Sequence, residues 1–134
     1  MSRVAAVRIS PDGALNEIAL PSGDGCLHTL YREIGCGSVD LVRLTPQLDM
    51  WLDDEGMYTQ DLNVLATFMA RRLGWTQQPY FGPVVITGGA DANCDVRGLD
   101  PAAVTMLRDL AEAVIFDIEA LPSDTSPTTQ DKDF

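Results

Sequence analysis

Lysine is almost missing from this chain: one residue, Lys132, stands against 20 acidic side chains, and the net charge is −11. A protein that grips DNA or RNA directly must neutralise several phosphates with basic groups, so no direct nucleic-acid contact is expected. Histidine is equally scarce. The single His28 lies two residues from Cys26, a spacing that turns the two side chains to different faces of a helix, so no nucleophile and base stand together. Cysteine occurs three times, as Cys26, Cys36 and Cys94, without a Cys-x-x-Cys pair, which yields neither a disulfide framework nor a four-ligand zinc site. These thiols read as small core or surface residues. Apolar runs of about 18 residues are absent, and "MSRVAAVRIS" lacks the apolar stretch and small-residue cleavage site of a signal peptide. The expectation is a cytoplasmic protein with no membrane contact.

What is present suffices for a core. With 134 residues, 46% of them hydrophobic, the chain fits one domain that needs no disulfide or metal to fold. The acidity has two readings, solubility in an arginine-using chain and attraction to a basic partner through mimicry of nucleic-acid charge. The acids are scattered along the chain rather than gathered in blocks, which favours solubility.

Strand-like runs "VAAVRIS" and "ALNEIAL" flank Pro11-Asp12-Gly13, where Pro presets one torsion and Gly accepts a positive φ, predicting a hairpin over 4–10 and 14–20. Cys26, Leu27, Leu30, Tyr31 and Ile34 then recur at helical spacing up to Gly35 and Gly37, predicting a helix over 24–34. "SVDLVRL" and "LDMWL" alternate at period two across Thr45-Pro46-Gln47, a second hairpin. A helix over 61–73, with Asp61 as N-cap and Gly74 just past its end, sets Leu62, Leu65, Ala66, Met69 and Leu73 on one face. Val64, Phe68 and Trp75 fall on its far side and call for cover by another element or a partner subunit, while Asn63, Thr67 and Arg71 form a polar stripe. Residues 83–87 read as a short apolar strand begun by Pro83.

The final helix has Asp100 as N-cap and Pro101 in its first position, runs about 20 residues, and aligns Ala103, Leu107, Leu110, Val114, Ile118 and Leu121. From Pro122 onward, Ser, Thr, Pro and Asp without period predict a disordered tail over 122–134. The order ββαββαβα gives an α+β class, a single domain over 1–121 with a mostly antiparallel or mixed sheet of about five strands and three helices.

The acidic stretch Asp53-Asp54-Glu55-Gly56 invites a metal or an acid/base pair. Read as a calcium loop with Gly56 sixth, it places Trp51 at the first ligand position and Leu62 at the twelfth, and both are wrong. Asp53 and Glu55 share one side of an extended strand and so offer a metal-dependent hydrolase as a third-placed reading. Adjacent acids ahead of Gly more commonly build a turn, and that reading is preferred. "GPVVITGGAD" follows a strand with Gly88-Gly89, but no Lys-Ser/Thr follows and the next helix starts some ten residues later, so a P-loop is excluded and only a looser nucleotide-binding turn remains. Trp51, Trp75, Tyr80 and Phe81 read as core or interface aromatics.

The segments "IGCGSVDLVRL", "LDMWLDDEG", "NVLAT", "FGPVVITGGAD" and "GLDPAAVTML", spread over residues 33–110, resemble a small domain of unknown function found in actinobacterial and other bacterial genomes and in their phages and plasmids. The matching features are Asp54-Glu55-Gly56 after a strand, Asn63 and Ala66-Thr67 on the next helix, and Gly82-Pro83-Val84-Val85 with Gly88. The resemblance implies a small accessory protein of mobile elements and carries no activity or cofactor. It also draws attention to Asn63 and Thr67, whose side chains are expected to return to the acidic turn as a structural polar network. The alternative is a small-ligand site shared by Asp53, Asn63, Thr67 and the Gly88-Gly89 loop. The expected function is therefore non-enzymatic protein–protein binding without cofactor or metal, as an acidic inhibitor of a host nucleic-acid-binding or defence protein or as a homodimer through Val64, Phe68 and Trp75. The alternative is a module that binds or sequesters a nucleotide signal.

Overall fold

The computed structural model describes residues 3–21, 25–35, 38–75, 78–89 and 97–120. Strands β1 (Arg3–Ile9) and β2 (Leu15–Pro21) form the opening hairpin, and helix α1 (Gly25–Ile34) leads to the second hairpin, β3 (Val39–Thr45) and β4 (Leu48–Asp53). A single-turn helix α2 (Gly56–Thr59) and the longer α3 (Val64–Arg72) precede β5 (Val84–Gly88), and α4 (Pro101–Glu119) closes the series. The five strands make one sheet in the order β2-β1-β5-β4-β3, and every neighbouring pair is antiparallel. The class is α+β, as the strand and helix patterns predict.

Turn chemistry places the first hairpin. Gly13 takes φ 91°, Ser10 N–H donates to Ala14 O at 2.9 Å, and the Asp12 carboxylate accepts from Ala14 N–H. Inserting β5 between the hairpins gives the sheet two apolar faces. Val7, Ile9, Met50, Leu52, Val84 and Ile86 point to one side, where Leu65 and Met69 of α3 and Leu107 and Val114 of α4 cover them. Val4, Ala6, Leu20 and Val85 point to the other, under Leu30 and Ile34 of α1. Each large apolar side chain removed from water this way contributes about 1.5–3 kcal/mol. Among the described residues no helix is long and apolar enough to cross a membrane.

The structure corrects several local expectations. The described residues hold four helices rather than three, because a single turn, α2, forms directly after the acidic turn and ahead of the predicted helix, with the extended Gln60 (φ −128°, ψ 159°) between it and α3. The N-cap of α3 is Asn63, not Asp61, and its side chain accepts from Ala66 N–H. Leu62 therefore leaves the expected apolar face; it bridges Phe81 and is exposed. The far end of α3 follows expectation, with Gly74 at φ 103°, its N–H on Arg71 O and the Trp75 N–H on Ala70 O, the paired bonds of a Schellman motif. In α4 the buried stripe is Val104, Leu107, Ala111 and Val114, with Ala103, Leu110 and Ile118 at its margin. Leu121, the tail over 122–134, Cys36, Cys94 and the side chain of Cys26 lie outside the described residues.

Candidate functional site

Asn63 and Thr67 sit where the chain turns from α2 into α3, beside the segment that leads into β5. Asn63 is fully buried, and its amide donates to Ile9 O at 3.0 Å and to Gly82 O at 2.8 Å while its oxygen accepts from Ala66 N–H at 3.0 Å. Both donors of the side chain are engaged, and one residue ties β1, the start of β5 and α3 together. Thr67 accepts from Tyr80 N–H at 2.9 Å, and backbone bonds from Asn63 N–H to Tyr80 O and from Gly82 N–H to Asp61 O complete the corner. Gly82 has φ 80°, and a Cβ there would stand 2.8 Å from the Gln60 side chain. Gly56 is held as tightly, since its Cβ would meet Phe81 O at 2.9 Å.

The acidic turn is served by a different residue from the pair expected. Asp53 Oδ1 accepts from Glu55 N–H at 2.9 Å, and Asp53 Oδ2 accepts from Gln60 Nε2 at 2.9 Å. Gln60, not Asn63 or Thr67, returns to the turn. Asp54 and Glu55 are exposed, and Glu55 makes no side-chain cap on α2. Asp40, Asp53 and Asp54 do face a cleft of 140 Å³ with Tyr80 and Phe81, yet no group of three or more His, Cys, Asp or Glu among the described residues is placed to hold a metal ion. Burial pushes the Tyr80 phenol above its ordinary pKa, and a hydrogen bond with Gln78 pulls it partly back.

Gly88 and Gly89 lie at the other end of the sheet. Trp51 pairs with Val85, so Asp53 stands opposite position 83 and Gly88 is five positions away, about 16 Å at the usual strand rise of about 3.3 Å. The register thus separates Asp53, Asn63 and Thr67 from the Gly88-Gly89 loop, and these residues do not line one pocket. Around the glycines the contacts are backbone to backbone: Gly88 N–H donates to Arg97 O at 2.9 Å and Gly89 N–H to Gln47 O at 3.1 Å. A Cβ on Gly88 would meet Gly98 O at 2.7 Å and one on Gly89 would meet Pro46 O at 2.8 Å. A cleft of 240 Å³ opens there, lined by Gly88, Gly89, Gln47, Arg97 and the start of α4, where Asp100 accepts from Ala103 N–H.

Two further features were not legible in the sequence. Asp49, which alternates with the apolar residues of its strand, has a side chain with 0% exposure and accepts from Arg43 Nε at 3.1 Å. Beside it the Trp51 indole donates to Thr87 Oγ1 at 3.0 Å. Pairing of Asp49 with Thr87 and of Trp51 with Val85 puts all four on the α1 side of the sheet, where Asp49 and Thr87 are fully buried.

Of the three apolar residues expected on the outward face of α3, Val64 and Phe68 lie on the helix and Trp75 lies just past its end, after the turn at Gly74. Val64, Phe68 and Trp75 are 37%, 37% and 39% exposed. Their placement is fixed: the Trp75 indole donates to Leu44 O at 3.0 Å, and the Arg71 guanidinium sits over the Phe68 ring at 5.9 Å. Arg72, next to them, is paired with Asp117 of α4.

No curated protein and no solved structure matches the chain. The turn at 53–56, the cap at Asn63, the Gly82-to-Gly88 strand and the start of α4 all fall within one matched stretch, residues 3–112, over which the chain belongs to the family described as a domain of unknown function (DUF3846).

Proposed function

We propose that the protein acts by binding another protein through the outward face of α3. In this reading it is an accessory factor of phage or plasmid type that inhibits a basic nucleic-acid-binding or defence protein. The observation that carries it is the ordered apolar face of Val64, Phe68 and Trp75, with a tryptophan, a phenylalanine and an arginine, residue types that concentrate binding energy at interfaces. The net charge of −11 adds attraction to a basic partner and speeds encounter with it. Among the named candidates this face offers exposed apolar area, with the Trp75 indole anchored at Leu44 O so that its ring is held in place. The corner at Asn63 directs its polar groups inward. A second copy of the chain is the other occupant the face admits, as a homodimer.

The test is a photo-crosslinking amino acid at position 68, introduced in cells that produce the protein, with position 112 on α4 as control. The expected result is one adduct at 68 that disappears with Val64→Asp. An adduct yield at 68 no higher than at 112 contradicts the reading, and sedimentation of the purified protein identifies whether the adduct is with a second copy.

A second reading rests on the cleft beside Gly88 and Gly89, which would take a nucleotide-like signal near Arg97. Its volume of 240 Å³ lies below the usual range for such ligands, about 300–1,000 Å³, and Asp100 places a carboxylate where the anion would go. A thermal-shift screen decides it, since a ligand that binds only the folded chain raises the melting temperature.

A further inference from the structure

The two edges of the sheet are guarded differently. On β2, Glu17 is tied to Arg108 of α4 at 2.6 Å and α1 packs against the strand's inner side chains Ile18 and Leu20. On β3, the opposite edge, the ladder partner among the described residues is β4 alone, and the one other backbone contact is at the strand's far end, where Leu44 O accepts from the Trp75 indole at 3.0 Å. The ladder fixes which backbone groups of β3 face outward. Asp54 N–H donates to Ser38 O, so 38 and 54 form a hydrogen-bonded pair, and by alternation 40 with 52 and 42 with 50 do so as well. The N–H and C=O groups of Val39, Leu41 and Arg43 therefore point away from the sheet. The Leu41 N–H does not stand open: the carboxylate of Asp40, one residue earlier, accepts from it at 2.8 Å.

We propose that Asp40 is a latch on the β3 edge, and that releasing it lets β3 pair with the β3 of a second copy. Strand addition requires the outward N–H groups as donors, and the latch occupies the central one. A second copy added antiparallel about a two-fold axis at Leu41 sets that residue against its own counterpart, Asp40 against Val42 and Val39 against Arg43, so no like charges lie directly opposite. Leu41 is 40% exposed and supplies the apolar centre of such a contact. The latch accounts for how an uncovered strand with the sequence "VDLVRLT" is kept from joining sheets edge to edge. This surface is centred on Leu41 and adjoins the α3 face only at the far end of β3, where the Trp75 indole bonds Leu44 O.

The experiment is sedimentation at physiological ionic strength combined with hydrogen exchange at Leu41. Asp40→Ala is expected to show a further doubling of mass relative to wild type, reversed by adding Leu41→Lys and unaffected by adding Phe68→Asp. Asp40→Asn keeps an oxygen that accepts from Leu41 N–H, and is expected to sediment as wild type does. Association of both variants to the same extent would show that charge rather than the hydrogen bond guards the edge, and overturns the latch. So does an Asp40→Ala variant that gains no mass. If that variant does not fold, the wild-type protein decides: the Leu41 amide is expected to exchange on the order of tenfold more slowly than its unstructured rate, and exchange at the unstructured rate rejects the proposal.

Discussion

Where β1 finishes and β5 begins, the buried side chains of Asn63 and Thr67 fill the space between connecting segments and satisfy their carbonyl and N–H groups. Where β5 finishes, Gly88, Gly89 and Gly98 let strands approach so closely that backbone meets backbone with no side chain between. Both ends solve one problem, the satisfaction of buried backbone groups outside a regular ladder. Each end leaves a cleft, of 140 Å³ beside Tyr80 and Phe81 and of 240 Å³ beside Gly88 and Gly89, where backbone alone lines much of the volume. Asn63 and Thr67 turn their polar groups inward, whereas α3 turns Val64 and Phe68 outward.

The sharpest break of that comparison is Asn63→Ala. It strips a cap and leaves the carbonyls of Ile9 and Gly82 without donors, and is expected to cost about 3 kcal/mol in urea unfolding. Next is Gly88→Ala at the other end. The added Cβ would fall 2.7 Å from Gly98 O, backbone that shifts only with the chain, and a loss of about 2 kcal/mol is expected. Gly82→Ala meets the flexible Gln60 side chain instead, so its cost, about 1–2 kcal/mol, comes mainly from the positive φ and is not rescued by Gln60→Ala. A full rescue would show that crowding rather than backbone strain makes Gly82 necessary.

The smallest effect expected is in the pH dependence. Burial raises the folded-state pKa of Tyr80, so its contribution is complete below the ordinary tyrosine pKa of about 10 and is lost as pH rises through the folded value. Wild-type stability should therefore fall more steeply above about pH 10 than that of Tyr80→Phe. Equal slopes would show that the phenol is no better buried than in the unfolded chain.

The two hairpins, the capped final helix and the outward Val64, Phe68 and Trp75 are legible because each follows from local period or turn chemistry. Asp100, Pro101 and Gly74 act within one turn of where they stand, and so does the Pro11-Asp12-Gly13 turn. What the sequence hides depends on contacts distant along the chain. Asn63 reads as a polar stripe residue until Ile9, 54 positions away, shows what it is for. Asp49 alternates with Leu48 and Met50 as a solvent-facing residue would, yet it is buried, because apolar groups pack on both faces of the sheet and local alternation does not reveal the second layer. The proposed pocket joining Asp53 to Gly88 fails for a related reason: both flank strands, but β4 and β5 run antiparallel and carry them to opposite ends. Gln60 carried a faint signal, a polar residue between the acidic turn and the capping Asn, and Gly82 a clearer one, a glycine held between an aromatic and a proline.

The most direct measurement of the central claim compares crosslinkers at two exposed positions, 68 on α3 and 54 in the acidic turn, in the same cells. The account predicts a discrete adduct from position 68 and none from position 54. An adduct from 54 with none from 68 would contradict it, and would return the acidic turn to the centre of the protein's function.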